Sequence, residues 1–274
     1  MLTSQKMQEI AIVSADVEGK SIDELLSKEW LLANGRGGFA SSTIAGCNTR
    51  RYHSLLTGSL KPPVNRIMAL SNCLETIICG GEVFNLSTFE FNESIHPEGF
   101  KFLKRFSQDI GVHFEYDLNG LAVTKSIYLV RDSDTVAVEY AFDNVDKEVA
   151  MMIRPFVGLR DFHSLQKSYV RLNATLQSTS SLIVRHDMPG SHELALICPA
   201  GSFEPDAQWW YNFLYRVDRE RGQDFNEDLW APGFFKCRIG GGRHWLQQHG
   251  RSPGADQARP DGRGGLCPAY YSLL

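Results

Sequence analysis

Several features that would classify this chain at once are missing. No apolar run approaches the ~18 residues of a membrane span, and the opening MLTSQKMQEI lacks the basic-then-apolar order of a secretory leader. Basic residues are few, 28 against 32 acidic for a net charge of −4, so the basic face of a nucleic-acid binder is not expected. The six cysteines (Cys47, Cys73, Cys79, Cys198, Cys237 and Cys267) show no CxxC spacing. That pattern argues against a disulfide framework and against structural zinc. There is no Gly-x-Ser-x-Gly elbow and no His-Glu-x-x-His pair. These absences describe a soluble, cytoplasmic chain with no metal, no organic cofactor, and neither nucleic acid nor membrane as a partner. What is present suffices for a large core: 274 residues, 43% of them hydrophobic.

Composition breaks near residue 237. The last 37 residues carry five arginines, no lysine and 8 of the 24 glycines, with no clear periodicity. Such a Gly/Arg/Pro bias is poorly suited to burying a core. Residues 237–274 therefore read as a disordered or out-of-frame end, residues 28–236 as the folded body, and residues 1–27 as an N-terminal extension with a short helix.

The body is rich in strand signals. Residues 121–131, 135–142, 149–157, 169–176, 181–187 and 193–199 combine β-branched and aromatic residues, several in apolar–polar alternation. Asn119-Gly120 predicts a two-residue hairpin turn, and Gly80-Gly81 a second. Short strands at roughly ten-residue spacing predict a mainly β fold, a large antiparallel β-sandwich with a few short helices. Ser21 and Glu24 have capping-box spacing and predict a helix near 22–29. Trp209, Phe213 and Val217 stand four apart, with Gly222 as a stop, and predict a second helix over 206–221.

Four segments invite chemistry. The glycine-rich stretch Asn34-Gly35-Arg36-Gly37-Gly38 lacks the third glycine of a dinucleotide fingerprint and a phosphate-binding lysine, and it reads as a tight loop. Arg50-Arg51-Tyr52-His53 offers charge, stacking and a titratable ring within four residues, as a ligand site or a salt-bridged loop anchor. If extended, Arg50 and Tyr52 share one side and Arg51 and His53 the other. Arg160-Asp161-Phe162-His163 places a carboxylate near a histidine, an acid–base pair or a loop anchor. Trp209-Trp210-Tyr211 has the rings of a sugar-stacking platform or of a core. Glu227 and Asp228 are adjacent, a spacing that rarely points two carboxylates at one substrate.

The segment Glu29-Trp30-Leu31-Leu32-Ala33-Asn34-Gly35, with Gly38-Phe39-Ala40-Ser41-Ser42-Thr43 and Asn48-Thr49-Arg50-Arg51-Tyr52-His53-Ser54, resembles the opening of bacterial and archaeal glycogen debranching enzymes. Pro62-Pro63-Val64, Leu74-Glu75, Arg160-Asp161-Phe162-His163-Ser164-Leu165, Trp210-Tyr211, Tyr215-Arg216, Glu220-Arg221-Gly222, Glu227-Asp228-Leu229 and Pro232-Gly233 continue it in order. Arg36 departs from the pattern, where a small apolar residue is expected. The resemblance implies an N-terminal supersandwich-like domain, followed in the family by an (α/α)₆ barrel that hydrolyses α-1,6-linked glucose with two carboxylates. No such barrel follows residue 236, so no catalytic residue is expected here. The implied partners are that helical catalytic domain and, through the complete enzyme, glycogen or an α-glucan oligosaccharide. A free-standing carbohydrate-binding module is the alternative. Arg50, Arg51, Tyr52, His53, Arg160, Asp161, His163, Trp209 and Trp210 are the candidate substrate-side or domain-interface residues.

Overall fold

The computed structural model describes residues 13–240 and 264–274, apart from Glu93 and Pro189. Its strands in chain order are β1 (Val13–Asp16), β2 (Glu29–Ala33), β3 (Phe39–Thr43), β4 (Ser54–Lys61), β5 (Val64–Cys79), β6 (Glu82–Asn85), β7 (Thr88–Phe91), β8 (Ser94–Glu98), β9 (Leu103–Gln108) and β10 (Val112–Leu118). They continue as β11 (Leu121–Leu129), β12 (Thr135–Asp143), β13 (Val149–Asp161), β14 (Leu172–Ser178), β15 (Ser181–His186), β16 (Glu193–Ile197), β17 (Gly201–Leu214), β18 (Asn226–Ile239) and β19 (Gly265–Leu273). One sheet has the order β1-β9-β10-β11-β12-β19-β16-β15-β14, and the other β2-β3-β4-β5-β13-β18-β17-β7-β8 with β6 beside β5. The pairing is antiparallel within both sheets. No helix among the described residues is long and apolar enough to cross a membrane.

Local chemistry accounts for the hairpins. Asn119 and Gly120 hold φ of 55° and 99°, the left-handed pair of a type I′ turn, and join β10 to β11. Gly80 and Gly81 do the same between β5 and β6. Helix α1 (Ile22–Leu26) starts at the full capping box of Ser21 and Glu24, and buries Leu25 and Leu26.

Alternation then decides which side is buried. On β10, Val112, Phe114, Tyr116 and Leu118 point inward while the residues between them are wetter. They meet the inner face of the other sheet, where Trp30 packs edge-on to Phe114 at 6.4 Å. A smaller apolar group of Met68, Phe89, Phe156, Phe213, Leu229 and Ala231 forms separately. Polar contacts also cross between the sheets: Glu75 of β5 accepts from Lys125 Nζ of β11 at 2.6 Å and from Tyr140 Oη of β12 at 2.9 Å.

Two sequence-based expectations need correction. Residues 206–221 are not one helix: β17 runs to Leu214, and only α2 (Arg216–Glu220) is helical. Trp209, Phe213 and Val217 share no face: Trp209 packs on the main core, Phe213 on the smaller apolar group, and Val217 lies on α2. The register of β17 on β18 shifts between Trp210 and Phe213, with Asn212 at φ 62°, so two residues three apart join the same apolar group as they would on a helix.

The second correction concerns the end of the chain. β18 runs through residue 237, and residues 265–273 form a strand seated between β12 and β16. Cys267, Ala269 and Tyr271 alternate into the core at 0% exposure. That period of two is short, and the glycines and arginines before it hide it in composition. The rest of the expected disordered or out-of-frame end, 241–263, lies outside the described residues.

Candidate functional site

The candidate residues from three remote segments meet beside one end of the β5–β13–β18 region. Asn48 shapes the first segment. Its Nδ2 donates to the carbonyls of His53 (3.3 Å) and Ser71 (3.2 Å), and its Oδ1 accepts from Ser42 Oγ at 2.8 Å. The His53 N–H closes a turn on the Arg50 carbonyl at 3.0 Å. The segment is therefore not extended, and the turn regroups its side chains. Arg50 and His53 face Glu29, with Arg50 Nε 2.7 Å and His53 Nε2 3.6 Å from Glu29 Oε1. Arg51 and Tyr52 go the other way.

Arg51 ties the loops together. Its guanidinium donates to the carbonyls of His163 (2.9 Å) and Asp224 (2.6 Å), and its backbone N–H donates to Asp218 Oδ2 at 2.7 Å. Asp218 sits on α2, which is itself hung from the first segment by the Val217 N–H on the Thr49 carbonyl at 3.1 Å.

Below this lies a buried ionic group. Arg160 pairs with Glu227 through both Nε and Nη2, and Nη2 also donates to the Arg51 carbonyl at 2.8 Å. Glu227 accepts further from the Gln166 N–H at 2.8 Å and from Tyr215 Oη. Burial works against the Arg160 charge, but Glu227 outweighs it and holds the guanidinium above its ordinary range. Burial, with the Glu227 charge adding, pushes the Tyr215 phenol well above its own. Asp228, one residue on, points away and accepts from the N–H groups of Ser168 (3.1 Å) and Asn212 (3.0 Å).

Only the rim of the cluster is open. Tyr52 Oη lies 3.2 Å from His163 Nδ1, and its ring packs edge-on to Phe162 at 5.5 Å. Arg66 stands over the Phe162 ring at 5.5 Å and donates to the Gly37 carbonyl at 2.8 Å, which brings the glycine-rich turn alongside. Gly37 has φ 96°, and a Cβ there would meet the Pro63 carbonyl oxygen at 2.8 Å, so only glycine fits. Asp161 is exposed, but its Oδ1 accepts the His163 N–H at 2.9 Å and orders the loop.

Trp209 and Trp210 stay apart from this cluster and from each other. Neighbours on a strand face opposite sides. Trp209 packs on the main core and Trp210 on the Phe156–Phe213 group, so the pair offers no common stacking face. Sequence reasoning named Arg51, Tyr52, Arg160, Asp161 and His163, but missed Tyr215, Gln166 and Asp218 and discounted Glu227. The available signal was Glu227-Asp228 directly before the apolar Leu229-Trp230-Ala231, since a carboxylate entering a buried strand needs a cation.

The family profile described as "Glycogen debranching enzyme N terminal" matches residues 28–245. Among solved structures, a polysaccharide lyase is similar at 9% identity over 81% of this chain and 26% of that one, with a TM-score of 0.33. A bacterial glucoamylase complexed with acarbose is similar at 10% identity over 91% of this chain and 30% of that one, with a TM-score of 0.38. The chain thus spans less than a third of the length of either. No curated protein sequence matches it.

Proposed function

The chain belongs to the glycogen debranching enzyme N-terminal family, and from that membership we propose that it is the non-catalytic sandwich part of an enzyme that hydrolyses α-1,6-glucosidic branch points of glycogen. One observation carries the reading: the carboxylate at the centre of the motif cluster is fully engaged. Glu227 accepts from Arg160, Gln166 and Tyr215, while Asp218 and Asp161 hold backbone N–H groups. Glycoside hydrolysis needs a carboxylic acid to protonate the leaving oxygen and a second carboxylate across the sugar. This cluster offers no such pair. It is a brace that fixes the loops carrying Tyr52, Phe162 and His163, and that rim is the surface presented to a helical catalytic domain beside the substrate cleft.

The experiment is an assay with phosphorylase limit dextrin. The pure chain releases no glucose, and the helical catalytic domain of a family member, supplied in trans, binds it with an affinity that falls in Tyr52→Ala/His163→Ala. Glucose release by the pure chain, or binding indifferent to those substitutions, overturns the reading. The free-standing carbohydrate-binding alternative is less well supported, because Trp209 and Trp210 lie on opposite faces.

A further inference from the structure

Three of the six cysteines converge from parts of the chain far apart in sequence. Cys198 follows β16, Cys237 lies on β18 and Cys267 on β19. Cys237 Sγ is 3.5 Å from Cys198 Sγ and 2.9 Å from Cys267 Sγ, and all three sulfurs lie within 4.8 Å of one another. None is more than 1% exposed. The sequence argued against structural zinc because paired ligands were sought at CxxC spacing. Here each ligand comes from a separate segment, so the fold makes the cluster and spacing cannot reveal it.

Cys267 Sγ donates to Cys237 Sγ, and Cys237 and Cys198 share a second S–H···S contact. Gly201 also leaves room beside two of the sulfurs. A Cβ there would stand 2.8 Å from Cys237 Sγ and 3.2 Å from Cys198 Sγ. A disulfide between Cys237 and Cys267 would leave the Cys198 sulfur, 3.5 Å from Cys237, outside the bond.

We propose that Cys198, Cys237 and Cys267 form an all-sulfur site for one thiophilic d¹⁰ cation of the zinc class. Soft thiolates select zinc and cuprous ions over hard cations, and such ions impose little geometry of their own. No histidine or carboxylate joins the group among the described residues, so the protein supplies three ligands. With metal–sulfur bonds of about 2.3 Å, three sulfurs in a plane stand roughly 4 Å apart. Loading therefore opens the trio by about 0.5–1 Å. A divalent ion on three thiolates leaves one net negative charge at the site. Because Cys237 belongs to one sheet and Cys267 to the other, the ion clamps the sandwich and releases the thiol protons on binding.

The test is anaerobic titration of the reduced full chain with Cd²⁺, and separately with Cu⁺, read by thiolate-to-metal charge-transfer absorption. Saturation at one ion per chain and a rise in Tm of about 5 °C or more are expected. X-ray absorption on the loaded wild-type chain should count three sulfur ligands. Cys198→Ser should weaken binding at least tenfold, whereas Cys47→Ala/Cys79→Ala should leave it unchanged. No absorption change overturns the proposal, as do fewer than three sulfur ligands, an unaffected Cys198→Ser, or peptide mapping that finds Cys237 and Cys267 joined by a disulfide in the protein as isolated. The wild-type measurements stand even if Cys198→Ser fails to fold.

Discussion

Glu75 and Lys125 meet at 2.6 Å in the space between the two sheets, Glu75 at 0% exposure and Lys125 at 6%. An ion pair so deep is held by its partners: Ser87 and Tyr140 also donate to Glu75. Lys125→Met leaves the carboxylate unpaired in the core and should cost about 3–5 kcal/mol. Glu75→Leu/Lys125→Met removes both charges and should recover much of that loss. Urea unfolding of the single and double variants checks the order, and a double variant less stable than the single would refute it.

The Arg160–Glu227 pair should behave in the same way, with a further handle. Arg160→Met strands Glu227 and is expected to cost about 3–5 kcal/mol. Tyr215→Phe removes one charge-assisted hydrogen bond and is expected to cost about 1.5–3 kcal/mol. Both are read from shifts in the urea midpoint at constant m-value.

Glu29 supplies a pH-dependent term. His53 and the closer Arg50 hold its carboxyl down at about 2, below its ordinary value of 4.5. A depressed carboxylate stabilises the fold above its unfolded value, and that stabilisation is lost as pH falls from 4.5 through about 2. Since Glu29 is about a third exposed, solvent screening reduces the effect to about 1–2 kcal/mol. Glu29→Gln should be less stable at pH 7 and show a flatter stability profile across that acid window, measured by thermal melts.

Trp209 and Trp210 should act independently. They pack on different apolar groups, so Trp209→Ala and Trp210→Ala should add within about 0.5 kcal/mol in a double-mutant cycle. Trp210→Ala and Phe156→Ala, whose rings stand 5.1 Å apart, should not.

Gly233 marks a close approach of two strands. It has φ 153°, and a Cβ would lie 2.2 Å from the Glu204 carbonyl oxygen. Gly233→Ala should cost more than about 2 kcal/mol in chemical unfolding, and a neutral result would mean that the backbone relaxes there.

The elements legible in the sequence were those fixed by local chemistry. Asn119-Gly120, Gly80-Gly81 and the Ser21–Glu24 box each act within four residues, and each appears where the sequence placed it. The bulge at Asn212 was not legible, because its effect is to make a strand imitate the three-residue spacing of a helix. Nor was β19, whose partners Val136 and Leu196 lie far upstream. In the candidate site, arginine-rich motifs announced a cluster, but not that Arg51 would reach a loop 112 residues away. Only the fold sets which segments share a corner.

The seat of β19 governs the order in which the molecule assembles. β12 and β16 flank it, yet β19 follows both in the chain. Until it arrives, that sheet exists as two fragments with facing edges, and neither fragment can satisfy the other. Closing it requires a contact between Val136 and Tyr271 across about half the sequence. Long-range closure of this kind slows a search without weakening its end state. The position of one short strand therefore sets how fast this sandwich forms more than how firmly it holds.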